Sequence, residues 1–263
     1  MTAREVAAII EDWAPLSIQE SWDNAGFCVG SPHMPVEGVL CCLDVTPQVL
    51  EEALALGSNM VISHHPLIFQ GLKQLCGQNQ VAQMVTQAIK SNLVVYSCHT
   101  NVDKVATGVS GVMAKTLDLQ NVTILNPDKK SPEEGVIGLG LVGNLPAPQE
   151  VHSFLEAVKR HFHVACLRVG PLFIPTIQKV AVCGGSGSAL IPHALESGAD
   201  IFLSGDISYH HFFATNQKMM IADIGHYESE IGIVQKLARL LLEKNVNFAV
   251  HTTKSNTNPI HYL

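Results

Sequence analysis

The chain has 263 residues, 47% of them hydrophobic and 15% charged, with a formal net charge of −7 when His is neutral. That length suits one large domain or two modest ones, and the apolar share supports a sizeable core and excludes wholesale disorder. An acidic chain without a Lys/Arg cluster argues against non-specific nucleic-acid binding, which needs a basic face.

Seven cysteines occur with no C-x-x-C pair, mostly in apolar stretches such as Val39-Leu-Cys-Cys-Leu43. They read as buried thiols in a reducing compartment, not as a disulfide frame or a thiolate zinc site. The N-terminus lacks a basic-then-apolar signal pattern, and no stretch approaches the length of a membrane span. A cytoplasmic location is the resulting expectation. Thirteen histidines are more than a chain of this size usually carries, and they tend to follow apolar segments.

In chain order, Thr2-x-x-Glu5 predicts a capping box ahead of Val6, Ile9, Ile10 and Trp13 at helical spacing, with Pro15 ending the helix. Residues 36–45 read as a strand. Thr46-Pro47 then predicts an N-cap followed by proline in the first turn, with Gly57 as the stop. Met60-Val-Ile is a short buried strand running into Ser63-His64-His65-Pro66. A helix over 78–91 leads to a strand over 93–97, which runs into Cys98-His99 and on to Asp103. Alternating strands and helices with short turns imply a parallel sheet, whose functional residues gather past the carboxyl ends of strands.

Residues 126–135 have a linker composition. A strand over 136–142 and a helix over 148–161 follow. Then Val180-Ala-Val-Cys183 reads as a strand, Gly184-Gly-Ser-Gly-Ser188 as a turn, and 189–197 as a helix. Ala53-Leu54-x-x-Gly57 through Ser63 matches Ala194-Leu195-x-x-Gly198 through Ser204 at an offset of 141 residues. The strand Met220-Ile-Ala-Asp-Ile224 ends in Gly225-His226-x-x-x-Glu230, the counterpart of His99-x-x-x-Asp103. This pattern reads as an internal duplication, against the plainer reading that any two βαβ units look alike. The expected fold is α/β, with two similar lobes of mixed sheets flanked by helices. The first lobe covers 1–125 with 235–263 and the second 126–234.

His64 and His65 are adjacent at a strand end, where neighbouring side chains point in opposite directions. They suit two ions, or one site approached from two sides, and otherwise a packed or capping role. His226-x-x-x-Glu230 and His99-x-x-x-Asp103 have the spacing that puts both side chains on one helix face, for a shared ion or an ordinary hydrogen bond. Imidazoles and carboxylates without thiolates suit Zn, Mn or Fe in a hydrolytic site better than a structural zinc. The Gly184–Ser188 turn is either a phosphate cradle or a tight strand-to-helix turn. Asp206, with His210 or His211, is either an acid/base group or part of a capped helix start.

Seven stretches in order carry a resemblance. They are Trp22-Asp-Asn-Ala-Gly-Phe-Cys-Val-Gly30, Ser63-His-His-Pro-Leu-Ile-Phe69, His99-Thr-Asn-Val-Asp103, Val180 through Ser188, Ser204-Gly-Asp206, Gly225-His-Tyr-Glu-Ser-Glu230 and Asn256-Thr-Asn-Pro259. In these the chain resembles the dinuclear-metal-centre family, whose members are called GTP cyclohydrolase I type 2 homologues or NGG-one-interacting factor three-like proteins. The resemblance implies two divalent ions held by His64, His65, Asp103, His226 and Glu230, with His99 near the site. It also implies a two-lobed fold and a ring-shaped homohexamer. Ser63, Gly108-Val-Ser-Gly111 and Glu228-Ser229 depart from the family's usual residues, and none of these departures removes an implied ligand.

Two functions follow from that resemblance. One is a metal-dependent hydrolase using a metal-bridging water on a small molecule such as the nucleotide GTP, with His99, Asp206, His210 and His211 as candidate catalytic groups. The other is a non-catalytic metal-binding or partner-binding assembly protein.

Overall fold

The computed structural model describes residues 1–77, 79–128 and 137–262. Thr2 caps α1 (Ala3–Trp13) reciprocally: its N–H donates to Glu5 Oε2 at 2.7 Å, and the Glu5 N–H donates to Thr2 Oγ1 at 3.4 Å. Strand β1 (Gly26–Val29) precedes β2 (Gly38–Cys42), which is shorter than the 36–45 run suggests, so Asp44 lies beyond its end. Thr46 caps α2 (Pro47–Ala55), with proline in its first turn. Then come β3 (Met60–Ser63), α3 (Gln80–Lys90) and β4 (Val94–Ser97), followed by the short α4 (Thr100–Asp103).

The chain continues through α5 (Val109–Thr116) and β5 (Gln120–Pro127). Residues 126 and 127 of the expected linker therefore belong to a strand, and 129–135 lie outside the described residues. Strand β6 (Gly138–Glu150) replaces the expected start of the next helix. Pro146 and Pro148 lack amide donors, and the pairing of β6 breaks between Asn144 and Gln149, where they sit. Glu150 then caps α6 (Val151–Phe162) by accepting from the His152 and Ser153 amides. After β7 (Arg168–Val169) come β8 (Thr176–Ser186), α7 (Ile191–Glu196), β9 (Ile201–Gly205), β10 (Met220–Asp223), α8 (His226–Glu230), α9 (Gly232–Leu242) and β11 (Ala249–Thr252).

These elements form two compact units. Unit 1 is Met1–Val102 with Ile233–Pro259, and unit 2 is Asp103–Gly232 with the residues from Ile260. The unit 1 sheet has the order β1-β4-β3-β2-β11, with β1 antiparallel and the rest parallel. Leu40, Cys42, Val61 and Val95 pack on Val49, Leu50 and Ala53 of α2 and on Met84, Val85 and Ala88 of α3. Their strand neighbours point to the other face. There Tyr96 donates its hydroxyl to Glu11 of α1 at 3.1 Å.

The unit 2 sheet has the order β5-β6-β8-β9-β10-β7, with β8, β9 and β10 parallel. Val180, Val182, Ile201 and Leu203 pack against Met113 of α5 and Phe154 and Val158 of α6. Ala181, Phe202 and Ile221 pack against Ile191 and Ala194 of α7. The runs β1-β4-β3-β2 and β7-β10-β9-β8 share strand order, strand sense and chain order. Among the described residues no helix is long and apolar enough to cross a membrane.

Candidate metal centre

In unit 1, Ser63 and Ser97 are register partners at the ends of β3 and β4, and their hydroxyls lie 2.9 Å apart. Ser63 donates to the His65 carbonyl at 2.8 Å, so Ser97 supplies the proton between the two serines. That bond bends the chain just past β3. The opposite-facing arrangement expected of His64 and His65 belongs to a strand, and the strand has ended. Their ring centroids are 5.0 Å apart, and His99 lies 5.3 Å from His64 and 5.5 Å from His65. One ligand nitrogen from each of the three rings falls within 4.8 Å of the others, a spacing that can hold a metal ion.

Each ring is oriented by an oxygen acceptor at Nδ1. The acceptors are the Cys98 carbonyl for His64 at 2.9 Å, Asp44 for His65 at 2.7 Å, and Asp23 for His99 at 2.8 Å. A neutral ring that donates from Nδ1 carries its lone pair on Nε2, the arrangement metal-binding histidines use. Burial works against ionisation of Asp23, but bonds from His99 and from the Thr100 N–H and hydroxyl outweigh it. They hold the carboxyl well below the usual range.

In unit 2, His226 follows the same rule. Its Nδ1 lies 2.8 Å from Asp206 Oδ2, and its Nε2 lies 3.1 Å from Glu230 Oε2 one helical turn later. Glu230 is 4% exposed. Glycine makes room for it: a Cβ on Gly185 would stand 2.2 Å from Glu230 Oε1, and the φ of +63° there disfavours a side chain in any case. Burial, followed by the Asp103 and Glu230 carboxylates, pushes the Cys183 thiol far up, so both carboxylates act on one buried group.

The expected Gly184–Ser188 turn is mostly strand, because β8 runs on to Ser186 and only Gly187 separates it from a 3-10 turn over Ser188–Leu190. The Gly185 N–H donates to Ser229 Oγ at 2.9 Å and the Gly187 N–H to Ser204 Oγ at 3.0 Å. Both of these amides are therefore committed internally and are not free to cradle a phosphate. Asp206 orients His226. His210 and His211 lie on a 3-10 turn over Tyr209–Phe213, outside both donor groups. His210 is exposed, and His211 Nδ1 pairs with Ser208 Oγ at 3.0 Å.

Sequence reasoning missed Asp23 and Asp44, the acceptors that orient His99 and His65. Asp44 carried a readable signal, being a carboxylate just past an apolar strand. Asp23 stood inside the Trp22–Gly30 stretch of the resemblance, but nothing there assigned it a role, because it lies 76 residues from its histidine in an irregular loop.

The donors of unit 1, three imidazoles each oriented through Nδ1 and with no thiolate among them, therefore suit a metal ion on their own chemistry. Known proteins agree with the fold. The chain is 31% identical to a Streptococcus pneumoniae protein named GTP cyclohydrolase 1 type 2 homolog, covering all of both chains. It is 32% identical to a Lactococcus lactis protein of the same name, covering 95% of each. The crystal structure of Staphylococcus aureus hypothetical protein SA1388 superposes with a TM-score of 0.92 at 27% identity, covering 100% of this chain and 99% of that one. A Bacillus cereus protein related to NIF3 has the same fold, with a TM-score of 0.91 at 24% identity and coverage of 100% and 99%. The model of the Duf34/NIF3 (NGG1p interacting factor 3) family matches residues 1–259, and the chain belongs to that family.

Proposed function

We propose that this chain is a dinuclear divalent-metal protein that acts as a metal-dependent hydrolase on a small molecule, with a nucleotide such as GTP as the substrate to test first. The observation that carries this reading is the shared orientation of four histidines, each tied through Nδ1 to an oxygen acceptor. The proposed ligands are His64, His65, Asp103, His226 and Glu230, and the donor types admit Zn, Mn or Fe. Two such ions would supply Lewis acidity and make water a usable nucleophile at neutral pH.

The chain's own residues supply the rest. Asp44, the Cys98 carbonyl and Asp206 set the ring orientations. His99, held by Asp23 beside the two proposed unit 1 ligands, carries a proton to or from a reacting group in this reading. His210 and His211 are further proton carriers in this proposal. A homohexamer, implied by the family resemblance, belongs to the same reading.

The test is metal analysis of dialysed protein, followed by turnover assays on phosphoester, amide and cyclic-amidine substrates with and without chelator. Two ions per chain with chelator-sensitive turnover is the expected result. Two ions without turnover would establish the non-catalytic metal-binding role instead. Absence of retained metal would sink both.

A further inference from the structure

We propose that Trp22 and Phe69 form a stacking subsite for a planar heteroaromatic ring, beside the imidazole group of unit 1. The proposal rests on the reading that this group serves a small-molecule reaction, and it names the chemical class of that molecule.

Trp22 is 58% exposed and Phe69 53% exposed, and no other aromatic side chain described in unit 1 is as open. Their ring centroids lie 5.9 Å apart, and both touch His99, at 6.1 Å and 6.3 Å. The three interplanar angles are 58°, 73° and 76°, so no pair is stacked face to face. A planar ring can add the face-to-face contact that these three rings do not make among themselves.

The exposure does not come from a loose loop. Next to Trp22, Asp23 accepts from His99 and from the Thr100 amide. Asn24 Nδ2 donates to the Ile68 carbonyl at 2.6 Å, joining the loop that carries Trp22 to the loop that carries Phe69. The two rings are thus held together at a fixed place in water, where leaving them uncovered forgoes apolar burial.

A ligand covers them better than a protein partner would. Two aromatic side chains offer at most about 300–500 Å² together. A stable protein interface needs about 800 Å² from each partner. A nucleobase stacked on an aromatic side chain is worth about 1–3 kcal/mol, and every base offers the π-face that this needs. A ring seated here would lie beside His99, whose own ring is 5.3 Å from that of His64 and 5.5 Å from that of His65.

The test uses the full chain with its retained metal and GMP as the probe, with ribose 5-phosphate as the control that keeps the phosphate and loses the base. The chain has two tryptophans, so Trp13→Phe leaves Trp22 as the sole indole reporter. GMP is expected to quench Trp22 saturably, and ribose 5-phosphate to compete at least about tenfold more weakly. Phe69→Ala should weaken GMP roughly 5- to 150-fold, the range that stacking energies imply, and Trp22→Ala should do the same by calorimetry. Phe69→Tyr should stay within about threefold.

Both side chains are exposed, so the variants should fold, and thermal melts confirm it. GMP that fails to bind at millimolar concentration, equal binding of ribose 5-phosphate, or a Phe69→Ala constant within twofold of the parent would overturn the proposal. So would a variant that changes the oligomeric mass while leaving GMP binding intact, since that marks a contact between copies. Metal analysis of the same sample separates the two readings. Base-dependent quenching in a protein that retains no metal would sink the metal-dependent function and leave the ring subsite standing.

Discussion

Units 1 and 2 share a four-strand run of the same order and sense, yet each ends it in different chemistry. In unit 1 the chain bends past β3 and β4 and delivers three imidazoles. In unit 2 the chain past β10 enters a short helix and delivers one imidazole with a carboxylate a turn later. Strand ends fix where the donors stand, and the first few residues after a strand decide which donors they are. A bend can cluster aromatic rings, whereas a helical turn spaces an imidazole and a carboxylate on one face. The supports differ too. Unit 1 relies on acceptors from separate loops, while unit 2 relies on glycines that let its carboxylate pack against β8.

The largest effect should come from removing a proposed ligand. His65→Ala and Glu230→Gln should each lower metal affinity by more than about 100-fold, beyond the 10- to 100-fold that losing an orienting partner costs. Metal content after dialysis checks this, and if both variants keep full content the proposed ligand set is wrong.

Gly185→Ala should come next. Its Cβ would meet Glu230 Oε1, so a loss of about 1–3 kcal/mol by denaturant titration is expected, together with weakened metal retention. Gly57→Ala is the matched control. It has a φ of +68° but nothing within 4 Å of the added Cβ, so it should cost about 1 kcal/mol and leave metal binding alone.

Smaller effects follow from the orienting carboxylates. Asp44→Asn and Asp206→Asn should each reduce metal affinity about 10- to 100-fold, with Asp206, the more exposed, at the lower end. Equal and negligible effects in a metal titration would show that the Nδ1 bonds do not matter for ligation.

The smallest effect concerns pH and unit 1 alone. Glu52 accepts from the Thr253 and Ser255 hydroxyls and from the Lys254 amide, tying the C-terminal segment to α2. Burial raises its pKa, but these bonds outweigh burial and lower it below the ordinary 4.5. A lowered folded pKa gives stability that is present above the ordinary value and lost as pH falls through the lowered one. Amide protection over residues 253–255, corrected for intrinsic exchange, should therefore drop in acid. Glu52→Gln should show the low protection already at neutral pH.

Much of this was legible in the sequence where a local signal exists. The Thr2–Glu5 box, the Thr46-Pro47 start and the apolar runs at β3 and β10 act within a few residues. Signals that act at a distance were not legible. The unit 1 strands β1 and β11 become strands only by pairing with β4 and β2, and nothing in their own period announces it. Reading 36–45 as one strand hid Asp44 inside it, and with it the partner of His65. The convergence of His64 and His65 depends on Ser63 and Ser97 meeting across two strands, a register that no single segment encodes.

Asp44 has a second partner. Its Oδ2 accepts from the Thr257 hydroxyl at 2.8 Å, while its other oxygen holds His65. The edge strand beside β2 is likewise β11, from the far end of the chain. During synthesis, therefore, His65 leaves the ribosome early, but the contacts that brace its acceptor cannot form until residue 257 has followed. Unit 2, drawn almost wholly from the stretch between Asp103 and Gly232, has no such wait. The order of translation thus completes the bracing of His65 only after most of unit 2 has been made, although His65 itself is made first.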